Sequence, residues 1–287
     1  STGVIGEHLP VEKILNALPG AVNSFSQVDW IGAARGIMTT DTQPKFISRI
    51  IQSKKNGSIR VAGIAKGSGM IRPDMATMLA FVFCDGIAST NYLQVLLGKL
   101  VEGSFNRIRV VGDTSTNDSC MLVATGASGV QISGDRELED GLGVFFKDLA
   151  VALIRDAEGA TKFITVCVDG GLDSEECLTV AYAISESPLV KTAMFASDPN
   201  WGRILAVVGR SDINNFDIDA VEITIGNTRV VTNGGVDPSY TESLGQMEMA
   251  KEDVLVNVSL GRGSAREIVF TSDLSVDYVK INADYRS

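Results

Sequence analysis

At 287 residues, 45% hydrophobic and 21% charged, the chain is long enough to bury one large core or two joined ones. A net charge of −10 and a pI of about 4.7 argue against a nucleic-acid backbone or an anionic membrane as partner. No apolar run reaches the ~20 residues that cross a bilayer, and the first residues, STGVIG, lack the basic start and apolar centre of a signal peptide.

In chain order, Pro10 to Leu18 reads as a short helix with proline in its first turn, and DWIGAARGIM has helical spacing from Asp29. The polar stretch TTDTQPK follows. IRVAGIA (59–65) and ATMLAFVFC (76–84) are strand-like runs separated by a turn with Gly67, Gly69 and Pro73. Ser89 or Thr90 caps a helix to about Val101, and RIRVV is the next strand. GDTSTNDS is a loop leading into CMLVATGAS, which reads as helical. Arg136 to Ala157 is a long amphipathic helix, TKFITVCVDGG a strand with a turn, and Asp173 the start of another helix. SPLVKTAMFASDPNWGRILAVVGRS holds two short elements around a Pro-Asn turn. Past Asp212 the pattern gives strand, tight turn and strand in VEIT-IGN-TRVV, a helix from Tyr240 to Lys251, and strands in DVLVNVSLG and REIVFTS. The mixture predicts an α/β fold of layered sheets and helices. It divides into a lobe over 1–187 and a smaller α/β lobe over 188–287.

The cysteines at 84, 120, 167 and 177 form no C-x-x-C pair, so a structural metal site is not expected and a reducing, cytoplasmic setting fits. His8 is the sole histidine, and any Ser-His-Asp or Cys-His scheme would have to use it. KGSG lacks the G-x-x-x-x-G-K-[ST] spacing of a phosphate loop, and GDTSTNDS lacks the spacing and terminal glutamate of a calcium loop. The segment KGSGMIRPDMATMLAF (66–81) raises a different chemistry. A threonine made N-terminal by cleavage carries its own base, because an α-amine has a pKa of about 7.7–8.0. The Thr77 hydroxyl could attack the Ala76 carbonyl and shift the acyl group to oxygen, leaving an ester for water to hydrolyse. Read alone, however, Thr77 is better explained as a packing residue of an apolar strand.

KGSGMIRPDMATMLAF resembles the self-cleavage segment of the bifunctional ornithine acetyltransferase, or glutamate N-acetyltransferase, family. STGVIG, IMTTDTQPK, SFNRI-RVVGDTSTNDS, EGATKF, SPLVKTA-MFASDPNWGRIL and DLSVDYVKINADYRS match that family in order, from residue 1 to residue 287. The resemblance implies an N-terminal-nucleophile-like sandwich in which 1–187 holds the cleavage site and 188–287 completes the cleft. It implies cleavage between Ala76 and Thr77, with Thr77 as nucleophile and Thr2 and Gly3 as an oxyanion hole. Thr40, Lys66, Thr77, Glu158, Asn282 and Ser287 match substrate-binding positions, Ser287 standing where the family usually has threonine. The implied reaction moves an acetyl group from N-acetylornithine to glutamate through an acetyl-Thr77 ester, in arginine biosynthesis and without a cofactor. Some members also take acetyl-CoA, and the two cleaved pieces are expected to assemble as an α2β2 heterotetramer.

Each position also has a plainer reading. Thr2 and Gly3 suit a turn, Thr40 a helix end, Lys66 a solvated charge, Glu158 a helix terminus, and Asn282 and Ser287 a frayed tail. The chain opens inside the STG motif without the family's usual N-terminal portion. An amidohydrolase or aminopeptidase using the same threonine, or an inactive fragment, therefore stays open beside the transferase.

Overall fold

The computed structural model describes residues 6–24, 29–71, 78–113 and 118–284. Two helices, α1 (Val11–Asn23) and α2 (Trp30–Gly36), lead into a hairpin of β1 (Lys45–Ser53) and β2 (Gly57–Lys66). The polar turn closes at Gly57, whose φ of +100° favours glycine. β3 (Leu79–Cys84) adds antiparallel to β2, pairing Lys66 with Leu79. Helix α3 (Thr90–Glu102), capped by the Ser89 hydroxyl, is followed by the two-residue strand β4 (Ile108–Arg109) and by β5 (Ser119–Ala124). β5 runs parallel to β3 and completes a four-stranded sheet in the order β1-β2-β3-β5.

Helix α4 (Arg136–Arg155) starts where the Asp135 carboxylate accepts the Leu138 N–H. Leu138, Leu142, Phe145, Phe146, Leu149 and Leu153 recur at helical spacing and are fully buried. Two glycines let this helix lie directly on the small sheet. A Cβ on Gly141 would sit 2.2 Å from Ile51 Cγ2, and one on Gly63 would meet Leu149 and Phe145 at 3.1 Å.

The rest of the chain builds β6 (Phe163–Gly171), α5 (Ser174–Glu186), α6 (Pro188–Phe195), α7 (Trp201–Gly209), β7 (Glu222–Ile225), β8 (Thr228–Thr232), β9 (Gly235–Val236), α8 (Glu242–Met249), β10 (Asp253–Ser259), β11 (Ala265–Ser272) and α9 (Val276–Ala283). Its strands join β4 in a seven-stranded sheet ordered β4-β11-β6-β10-β7-β8-β9. Alternation along β11 makes this sheet a partition. Phe270 belongs to the core shared with α3, α4 and the small sheet, whereas Val269 belongs to the core under α5, α6 and α7. The layered α/β class expected from the pattern is therefore the one observed.

Several local expectations change. CMLVATGAS reads as helical, yet 119–124 is a strand, because the open edge of β3 supplies a ladder that the apolar run can join. The pattern gives no strand over Lys45–Ser53, where charged and apolar residues alternate imperfectly; β2 recruits it as an edge strand. RIRVV contributes only Ile108 and Arg109 to a sheet. The strand expected from residue 76 is seen from Leu79, and residues 76 and 77 lie outside the described part. The C-terminal tail forms α9, capped by Ser275.

Candidate active site

The site grows from the end of β2. Lys66 closes the strand and the chain turns through Gly67, Ser68 and Gly69, with Gly67 at a φ of +140°. The Gly67 N–H donates to Asp41 Oδ1 at 2.9 Å. Asp41 is itself buried within TTDTQPK, where it accepts the Thr39 N–H at 3.2 Å and the Lys45 ammonium at 2.5 Å. Lys45 also pairs with Asp156 at the end of α4, and Asp156 accepts the backbone N–H groups of Thr42 and Gln43. This carboxylate–ammonium–carboxylate chain pins the loop against the sheet and sets Thr40 Oγ1 2.7 Å from Ser68 Oγ.

Burial raises the pKa of the Asp41 carboxyl, but hydrogen bonds from Lys45 and Gly67 outweigh it, leaving it below the usual range. Lys66 is 2% exposed. Burial lowers its pKa, opposed by attraction to Asp41 and Asp118. Among the described residues it has no ion-pair partner within 4.0 Å. Asp118 accepts the N–H of Met78, the residue after Thr77, at 2.8 Å.

Glu158 arrives from the other side, just past α4. Its N–H donates to the Ser68 carbonyl at 2.8 Å, and its buried carboxylate lies against Gly69. A Cβ on Gly69 would be 2.6 Å from Glu158 Oε1, so only glycine lets the carboxylate rest there. Asn282, on α9, donates from Nδ2 to Glu158 Oε2 at 2.8 Å. Gly159, with φ +65°, passes so close to α9 that a Cβ would meet the Tyr278 N at 2.5 Å. The Tyr278 hydroxyl is raised by burial and by the negative charges of Glu158 and Asp113.

Ser68 thus joins residues far apart in sequence. Its hydroxyl meets Thr40, its carbonyl takes the Glu158 N–H, Glu158 holds Asn282, and Lys66 ends the adjoining strand. Thr2, Gly3, Ala76, Thr77 and Ser287 lie outside the described residues. Sequence reasoning missed Ser68, Gly69 and Asp41. The first two stand in the KGSG turn, read there as punctuation, and Asp41 stands in TTDT, from which only Thr40 was taken. A buried ammonium suits an anionic group and the Glu158 carboxylate a cationic one. No cluster of metal-ligating side chains occurs among the described residues, and no helix among them is long and apolar enough to cross a membrane.

Comparison with known proteins points to one kind of protein. A crystal structure of the arginine biosynthesis bifunctional protein ArgJ from Bacillus halodurans superposes with a TM-score of 0.66 at 33% identity, covering 70% of this chain and 96% of that one. Curated proteins of that name from Pseudomonas fluorescens (strain Pf0-1) and Psychrobacter arcticus are each 48% identical over all of this chain and 72% of their own length. The ArgJ family model matches residues 1–287, and the chain belongs to the ArgJ family.

Proposed function

We propose that this protein transfers an acetyl group from N-acetylornithine to glutamate, as a cytoplasmic step of arginine biosynthesis. The observation that carries the reading is that Thr40 and Glu158 both bond Ser68, Asn282 bonds Glu158, and Lys66 ends the strand leading into the same turn, which precedes Thr77 in sequence. In this reading the Ala76–Thr77 bond is cleaved by the chain itself, and the new Thr77 α-amine acts as base for its own hydroxyl. Thr77 Oγ attacks the acetyl carbonyl while Thr2 and the Gly3 N–H stabilise the oxyanion. The C–N bond breaks, ornithine leaves with the proton, and the acetyl ester remains. The glutamate amine then attacks that ester and regenerates the hydroxyl.

Lys66 takes the substrate carboxylate, and Glu158, aligned by Asn282, takes the ornithine ammonium. Thr40 and Ser287 complete the binding set. Residues 1–187 serve as the catalytic lobe and 188–287 as the lobe that completes the cleft, Asn282 of the second reaching Glu158 of the first. The cleaved pieces assemble as α2β2, and acetyl-CoA is a second donor to be assayed.

Two measurements test this reading. Intact mass should show pieces of 76 and 211 residues, replaced by one 30.5 kDa species in Thr77→Ala. N-acetylglutamate should form from N-acetylornithine only when glutamate is present. Acetate release with or without glutamate would mean hydrolysis instead, and an uncleaved wild-type chain without turnover would end the proposal.

A further inference from the structure

At the C-terminal end of β11 lies a buried carboxylate that the proposed chemistry does not use. Asp273 is 3% exposed, and among the described residues every hydrogen bond it accepts comes from the segment following Glu158. Its Oδ1 takes the backbone N–H groups of Thr161 and Lys162 at 2.8 and 2.9 Å, and its Oδ2 takes the Thr161 hydroxyl at 2.6 Å. Two residues on, the Ser275 hydroxyl donates to the Gly159 carbonyl at 2.6 Å and caps α9 by accepting the Tyr278 N–H. Asn282 extends from that helix back to Glu158. Glu158 and Asn282 are therefore the two tips of one clamp, closed at its base by Asp273.

The base is also tied to the rest of the fold. Lys162 Nζ donates to Ser197 Oγ at 2.7 Å and to the Met249 carbonyl, joining the α6–α7 turn and the end of α8. Lys191 Nζ donates to Thr271 Oγ1 at 2.7 Å and to the Ser272 carbonyl, and its own carbonyl accepts the Leu274 N–H. Both ammonium groups are buried and attracted to Asp273.

We infer that Asp273 is a positioning residue that sets the geometry of the Glu158–Asn282 pair and thereby the enzyme's preference for an amino acid with a cationic side chain. The inference rests on the acetyl-transfer reading. Misplacing a substrate-aligning group by ~1 Å can cost on the order of 10²-fold. The effect is selective, because glutamate carries no side-chain cation for Glu158 to hold. In a ping-pong reaction kcat/KM for each substrate reports its own half-reaction, so the two can be separated.

The experiment compares the wild type with Asp273→Ala, Asp273→Asn, Thr161→Val and a control, Val208→Ala, buried in the other core. Asp273→Ala should lower kcat/KM for N-acetylornithine about tenfold or more and that for glutamate less than about threefold. Asp273→Asn keeps the shape and an acceptor for the two N–H groups, and should recover part of the loss. Thr161→Val removes one hydrogen bond and should give a smaller fall of the same selectivity, about threefold; it decides the matter if Asp273→Ala does not fold. Val208→Ala should lower the melting temperature and leave both ratios unchanged. Equal losses for both substrates in Asp273→Ala, or a Thr161→Val enzyme with wild-type selectivity, overturn the inference. Absence of transfer by the wild type overturns the functional reading itself, which is a different result.

Discussion

Gly69→Ala isolates the site from the fold. Gly69 has ordinary negative-side backbone geometry, so alanine is tolerated there, and the added methyl meets only the Glu158 carboxylate among its three nearest atoms, at 2.6–2.7 Å. Ordinary contact begins at 3.4 Å, so the carboxylate must retreat by about 0.8 Å. Directed away from Asn282, that movement lengthens the 2.8 Å bond to about 3.6 Å, just past hydrogen-bonding range. A hydrogen bond to a charged group contributes about 1.5–3 kcal/mol, and a comparable displacement of an aligning group costs up to ~10²-fold. The expected result is a 10- to 100-fold fall in kcat/KM for N-acetylornithine, or about 1.4–2.7 kcal/mol. Stability should stay within about 1 kcal/mol, because the obstructed atoms end a flexible side chain and alanine restricts the unfolded chain. Steady-state acetyl transfer and a urea titration on the same preparation measure both. Wild-type kinetics, or a loss of stability as large as the loss of activity, would refute the placement of Glu158 against this turn.

Lys66→Met should raise KM for N-acetylornithine about tenfold or more while leaving stability equal or higher, since a desolvated ammonium is removed; kinetics and urea midpoints check the two halves. Burial brings Lys191 down to about 7, against the pull of Asp273, whereas an unfolded lysine titrates near 10.4. Between those values the unfolded chain binds a proton that the native chain lacks, so stability rises with pH, by at most ~1.4 kcal/mol per pH unit. Lys191→Met should flatten that rise in urea midpoints taken from pH 7 to 10, and an unchanged slope would count against it. Gly141→Ala drives a methyl into Ile51 and should destabilise by about 1–3 kcal/mol despite better helix propensity. Adding Ile51→Val should return part of that loss, and no return would mean that α4 does not approach β1 as described.

The sequence by itself determined the elements whose signals are local. Helix starts at Ser89, Asp135 and Asp173 carry side chains that accept an N–H three residues on, and α4 has an apolar stripe of its own. The ordered motifs likewise brought Thr40, Lys66, Glu158 and Asn282 forward one by one. Tertiary structure alone decided what depends on a distant neighbour. β1 and β5 are strands because β2 and β3 offer them ladders, a cue absent from their own residues. The bond from Asn282 to Glu158 spans 124 positions, and Ser68, Gly69 and Asp273 matter only for what lies opposite them. A hydrogen bond or a steric limit is set by distance in space, and one chain position carries no record of which remote residue will stand 3 Å away.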